Sequence, residues 1–222
     1  MLRKFPGRIA TEVAEALGIA PIWHIWQVPG EKLKRGKFPA DIYDAYVSRE
    51  QGLLVQTRNN KGKAEIFSHL DWSPLYKIDA QTFATDDRHL SIRFADPSCQ
   101  TLMLAMKAEN VFTSMQGVAP PRSTKPKFAP RGRYLCAPIA STAEIVQHEG
   151  VYEIYFTGIF GTGIRYPLTL LNETTAYFDL ARGVDESPPG RALVIYDAKE
   201  QLLEVSCMLA RRVVFRAVTR AA

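Results

Sequence analysis

From residue 151 onward the chain is a succession of short runs rich in β-branched and aromatic residues. Each run is broken by turn-forming residues before it grows long enough for a helix. This punctuation constrains the fold more than any other feature, because short, evenly spaced strands can bury their apolar faces only in a sheet that curls or packs on another. The runs cover 151–159, 164–171, 174–180, 192–196, 201–208 and 211–218, and Pro167 marks its run as an edge strand or a bulged one.

The same period extends upstream. Residues 53–58 and 63–70 flank Asn59-Asn60-Lys61-Gly62, where Asn and Gly tolerate positive φ, so a hairpin is expected. Leu90, Ile92 and Phe94 alternate with polar residues ahead of Asp96-Pro97-Ser98, and Leu102, Leu104 and Met106 share one face beyond it, a second hairpin. Three segments read as helices. Ile9, Val13 and Leu17 fall four apart before Gly18; Ile42/Tyr46 and Tyr43/Val47 share a face between Pro39 and Gly52; Ser141 and Glu144 form a capping box ahead of Gly150. The expected fold class is therefore α+β and β-rich, a curved antiparallel sheet, barrel or sandwich with about three short helices. No internal repeat is evident. Residues 1–222 read as a single domain, with a possible internal boundary in the basic, proline-rich segment 117–132.

A chain of 222 residues, 46% hydrophobic, buries enough apolar surface to fold without disulfide or metal stapling. Its apolar runs are far shorter than the roughly 20 residues that span a bilayer, so no membrane partner is expected. The N-terminus lacks a continuous apolar stretch and reads as part of the fold. Cys99, Cys136 and Cys207 are odd in number and widely spaced, which favours a reducing, cytoplasmic location and gives no metal-ligand spacing. No cofactor is expected.

Charge supplies the leading functional expectation. The net charge is +5, and no acidic residue occurs between Glu109 and Glu144, while Arg122, Lys125, Lys127, Arg131 and Arg133 do. Lys32, Lys34, Arg35 and Lys37 form a second basic loop, Arg58 and Lys61 flank a hairpin tip, and Arg165 follows the glycine-rich Gly158-Ile-Phe-Gly161-Thr-Gly163. Basic loops bind phosphate backbones by releasing counterions, and Phe128 is placed to stack on an unpaired base. The expectation is a non-catalytic nucleic-acid-binding subunit of a ribonucleoprotein or DNA-processing assembly. It favours RNA or single-stranded DNA and leaves room for other protein subunits, including acidic surfaces met by a structural assembly protein. The glycine-rich stretch is neither a dinucleotide fingerprint nor a phosphate loop and reads as a turn or bulge.

A second expectation comes from the histidines. His69-Leu-Asp71 places imidazole and carboxylate on one face of a strand, with His148 and then Arg165 downstream. That order resembles the facial triad of the iron(II), 2-oxoglutarate-dependent oxygenases. The resemblance implies iron held by His69, Asp71 and His148, with Arg165 pairing the cosubstrate carboxylate.

Overall fold

The computed structural model describes residues 34–67, 72–86, 89–106, 112–121, 127–158, 163–180, 190–207 and 210–218. Arg35–Ala222 form one compact unit. The described residues are built almost entirely of antiparallel strands in two sheets, and the N-terminal helix expected at 8–17 lies outside them.

The first sheet holds β1 (Lys34–Arg35), β2 (Ala45–Ser48), β3 (Leu53–Asn60), β4 (Lys63–Phe67), β5 (Trp72–Pro74), β6 (Tyr76–Lys77), β7 (Thr82–Ala84), β8 (Leu90–Phe94), β9 (Thr101–Met106) and β10 (Phe112–Gly117). Its order is β1-β6-β7-β8-β9-β10-β2-β3-β4-β5. The strands meander and the ends meet. β5 pairs with β4, β6 pairs with β7, and only Leu75 separates β5 from β6, so one bent strand joins both edges. Pro74 explains the bend: it has no N–H to continue the ladder opposite Glu65. The next residue, Leu75, donates to the Ala64 carbonyl at 2.9 Å while its own carbonyl accepts from Gly36 at 3.0 Å.

The second sheet repeats the design with β11 (Gly132–Cys136), β12 (Ser141–His148), β13 (Val151–Thr157), β14 (Arg165–Pro167), β15 (Thr169–Leu170), β16 (Thr175–Leu180), β17 (Gly190–Asp197), β18 (Leu202–Ser206) and β19 (Val213–Ala217). Its order is β14-β13-β12-β11-β19-β18-β17-β16-β15, and Leu168 divides the closing strand after Pro167. With each closing pair counted as one bent strand, the second sheet has eight, β11, β12, β13, β14–β15, β16, β17, β18 and β19, and the first has the matching eight, β2, β3, β4, β5–β6, β7, β8, β9 and β10, plus the two-residue β1 beside β6. Barrels of about eight strands are just wide enough to be filled by side chains. Both are filled. Tyr46, Ile66, Leu75, Ile92, Leu102 and Met115 are fully buried in the first, Ala143, Ile154, Ala176, Val194, Leu203 and Phe215 in the second. Phe38 fills the first further, edge-on to Phe83 and Phe94 with ring centroids 5.0 and 5.8 Å away; Phe128 meets Tyr152 at 6.1 Å in the second.

The two barrels match position by position. The hairpin Asn60-Lys61-Gly62 corresponds to His148-Glu149-Gly150, with Lys61 and Glu149 both at φ 50°. Glu65 faces Pro74 as Glu153 faces Pro167. Gly117 pairs with Tyr46 as Ala217 pairs with Tyr134, and the next residues, Val118 and Val218, each donate to a carbonyl of the facing strand at 2.9 Å. Asp79 and Asn172 each cap the turn after the bent strand, accepting backbone N–H groups on Oδ1. The chain is thus an internal structural repeat that its sequence hides, correcting the expectation of none.

Two expected helices are strands. The segment 141–150 becomes β12, because Ser141, Ala143 and Ile145 point inward and Thr142, Glu144 and Val146 outward, a period of two fixed by partners on both sides. In 39–52 the apolar spacing that suggested a helix instead seats Tyr46 inside the first barrel. The single 3-10 turn among the described residues, Ala137–Ile139, is too short to count as either.

Candidate functional site

Charged and aromatic groups converge at the seam where the barrels meet. Arg191, on β17, is its centre. Its guanidinium lies 3.5 Å from the ring centroid of Phe67 on β4 and 4.6 Å from that of Tyr177 on β16. It donates to Gln56 Oε1 on β3 and pairs with Asp179 Oδ1 at 3.0 Å. A guanidinium suits this place because its planar faces stack on rings while its edge donates. Tyr177 and Leu193 point outward from the second barrel yet are 8% and 2% exposed, so the first barrel covers them.

A second ionic group closes the seam. Arg49, in the turn between β2 and β3, donates to Glu204 Oε1 at 3.0 Å and to Asp197 Oδ2 at 3.1 Å. The hydrogen bond to Glu204 is the main cause that raises the Arg49 pKa above its ordinary value, and the bond from Arg49 holds the Asp197 carboxyl below the usual carboxylate range. Arg212 Nη2 lies 4.0 Å from Glu204, and Arg212 N–H donates to Ser206 Oγ at 2.9 Å. Gly52, at φ +60°, sits so close to Ser206 that no Cβ would fit. Between these groups lies a cavity of about 110 Å³, lined by Leu54, Gln56, Phe67, Arg191, Leu193 and Cys207 among others. Small-molecule sites run to about 300–1,000 Å³, so this space is a packing gap at a joint rather than a peptide pocket. No group of three or more metal-ligating side chains occurs among the described residues.

The residues expected to bind phosphate are scattered, and several are already engaged. Arg58 pairs with Glu65 at 2.8 Å and stacks on Trp72 at 3.9 Å. Arg131 donates to Tyr152 Oη at 2.7 Å and lies over that ring; Arg165 faces Glu153 at 3.5 Å. Phe128 is 1% exposed in the second core and offers no face to a base. Lys34 and Arg35 lie on β1, Arg35 stacking on Tyr76 at 5.2 Å, while Lys37, Lys61 and Lys127 are exposed on loops. Arg133 stands on β11 opposite Glu144, whose carboxylate accepts from Tyr155 Oη at 2.6 Å. That bond, before desolvation, raises the Tyr155 pKa. Lys32, Arg122 and Lys125 fall outside the described residues, as do His69 and Asp71 of the expected iron triad; His148 ends β12, exposed. Sequence reasoning missed Arg191, Arg49 and Glu204, whose partners are more than a hundred residues away in sequence.

Comparison with known proteins overturns the functional expectations. No curated protein matches the chain. The model of one family, described as D-aminopeptidase, domain B, matches residues 37–216. The match points to a peptidase-related protein, which displaces both the nucleic-acid-binding reading and the iron oxygenase reading, together with the ribonucleoprotein assignment. It spans both barrels and the seam, well over half of the sequence, and the chain belongs to the D-aminopeptidase domain B family.

Proposed function

We propose that this chain is the tandem-barrel supporting module of a D-aminopeptidase-type peptidase, acting beside a hydrolytic unit rather than as one. The observation that carries this reading is the family match across 37–216, over a structure whose two barrel interiors are packed solid with side chains. A domain lettered B belongs to a protein with at least one other. Rigid barrels are well suited to hold a neighbouring cleft in shape, since loops on a fixed scaffold keep their geometry. The described histidines, His89 and His148, are exposed and stand on different barrels.

The test is an assay of the purified chain on D-alanine p-nitroanilide. The chain alone should release no nitroaniline above a buffer blank. Fused to a D-aminopeptidase truncated of its own domain B, it should restore activity or raise that enzyme's Tm. Turnover by the chain alone, abolished by a point substitution within it, would overturn the reading.

A further inference from the structure

The space between the barrels is too small for a peptide and large enough for part of a small molecule. At about 110 Å³ it equals the liquid volume of three or four waters, and apolar cavities of about 150 Å³ take up benzene. Its place favours a guest. Leu53 opens β3, Leu90 opens β8 and Met106 ends β9, with Leu90 paired to Met106, so all three stand at one rim of the first barrel. They line the cavity there, and Leu193 and Cys207 line it from the second barrel. Ligand sites favour barrel mouths and domain interfaces, and this chamber lies at both.

The wall sets the chemistry of the guest. Leu54, Phe67 and Leu104 extend the apolar lining, and the polar groups set into it are already engaged. Arg191 pairs with Asp179, stacks on Phe67 and Tyr177 and donates to Gln56 Oε1, while Ser206 Oγ accepts the Arg212 N–H at 2.9 Å. A buried water needs about two to four polar partners, and few are left for it here. Carbon fills such a space better, because it takes apolar wall out of contact with water.

Arg211 differs from Arg191. It lies exposed at the edge of the cavity, where its guanidinium donates to the Gln51 carbonyl at 3.5 Å, a long hydrogen bond. A guanidinium carries five donors, so most of this fork stays available. Two arginines and no Asp or Glu are among the described residues that line the space, and Asp179, the counter-ion of Arg191, is not one of them. Positive charge at the edge and apolar walls behind it complement an anion with an apolar tail.

We propose that this chamber binds a small carboxylate with a short branched or ring-shaped apolar tail, the tail held between the barrels and the carboxylate at the Arg211 guanidinium. Because both barrels supply wall, the bound molecule also strengthens the joint between them.

Calorimetric titration of the whole chain with isovalerate tests this. One molecule should bind per chain with a Kd on the order of 1 mM or tighter, and at ten times that Kd the Tm should rise by about 3–6 °C. Acetate lacks three carbons of the tail and should bind at least about tenfold more weakly, since each buried methylene group contributes roughly fourfold. Leu54→Phe fills the chamber and should abolish binding; Cys207→Met fills it from the opposite wall should Leu54→Phe lose its native circular dichroism. Arg211→Gln should weaken isovalerate by about three- to tenfold, and isovaleramide, which keeps the tail without the charge, should bind wild type and this variant alike. No saturable heat with isovalerate, acetate binding as tightly, undiminished binding to a folded filling variant, or an Arg211→Gln variant with unchanged isovalerate affinity would each overturn the proposal.

Discussion

Tyr46 and Tyr134 stand at matching places in the two barrels, and each is nearly fully buried with its hydroxyl accepting a backbone N–H from three residues before it, Tyr43 and Arg131. Tyr46 also donates to the Cys99 carbonyl at 2.8 Å. Removing that hydroxyl leaves buried groups without partners, so Tyr46→Phe should cost about 1–3 kcal/mol in urea denaturation. Burial is the main cause that raises the pKa of both phenols. The unfolded phenol ionises near pH 10 while the folded one resists. Stability is therefore fully present below about pH 10 and falls as pH climbs above it toward the folded value. Tyr46→Phe should flatten that alkaline fall, and an unchanged alkaline limb would refute the assignment of Tyr46 to it. The likeness of the two tyrosines did not show in the sequence, where Tyr46 read as part of a helix face, because what makes them alike is a hydroxyl reaching back to its own strand entry, which apolar spacing does not encode.

At the scale of elements, turns were legible and periods less so. Asn60-Lys61-Gly62 and Asp96-Pro97-Ser98 marked their hairpins because positive φ and proline act locally. The capping-box pattern Ser141-Thr-Ala-Glu144 is equally local, and it misled: pairing to β11 and β13 outweighs it, since both neighbours demand an extended strand. The repeat stayed hidden because matching positions keep direction and turn chemistry while changing residue, as Arg58 becomes Val146 and Trp72 becomes Arg165. The family was illegible for a similar reason: packed barrels carry no short catalytic motif. Turn glycines give a graded test. Gly62 has positive φ and open space around it, so Gly62→Ala should cost about 1 kcal/mol from backbone strain alone. Gly52 has the same conformation and also meets the Ser206 side chain across the seam. Gly52→Ala should be clearly the more destabilising in thermal melts, and equal Tm losses would show that the seam yields at that point.

For the whole molecule the question is whether two nearly closed barrels, each with its own core, unfold as one body. Each core is complete without the other, so only the seam couples them. Two arginines are its main polar contacts. Arg191 is largely buried, with hydrogen bonds to Gln56 and Asp179 and rings on both sides. Hydrogen bonds to charged groups contribute about 1.5–3 kcal/mol and desolvated cation–π contacts up to about 2. Arg49 is half exposed, so its pairs with Glu204 and Asp197 add less, although Glu204 is buried and loses its counter-ion if Arg49 is removed. A joint of several kcal/mol is comparable to the whole stability of a domain, about 5–15 kcal/mol, and suffices to merge two transitions. The wild type should therefore give one calorimetric peak with matching calorimetric and van't Hoff enthalpies. Arg191→Ala should lower stability by about 2–4 kcal/mol, the sum of the contacts named less what the site regains by relaxing. Combined with Arg49→Ala it should split the melt into two peaks, one per barrel, each with roughly half the enthalpy, since unfolding enthalpy scales with chain length. A double variant that still melts as one cooperative unit would place the coupling elsewhere, in the chain between β10 and β11.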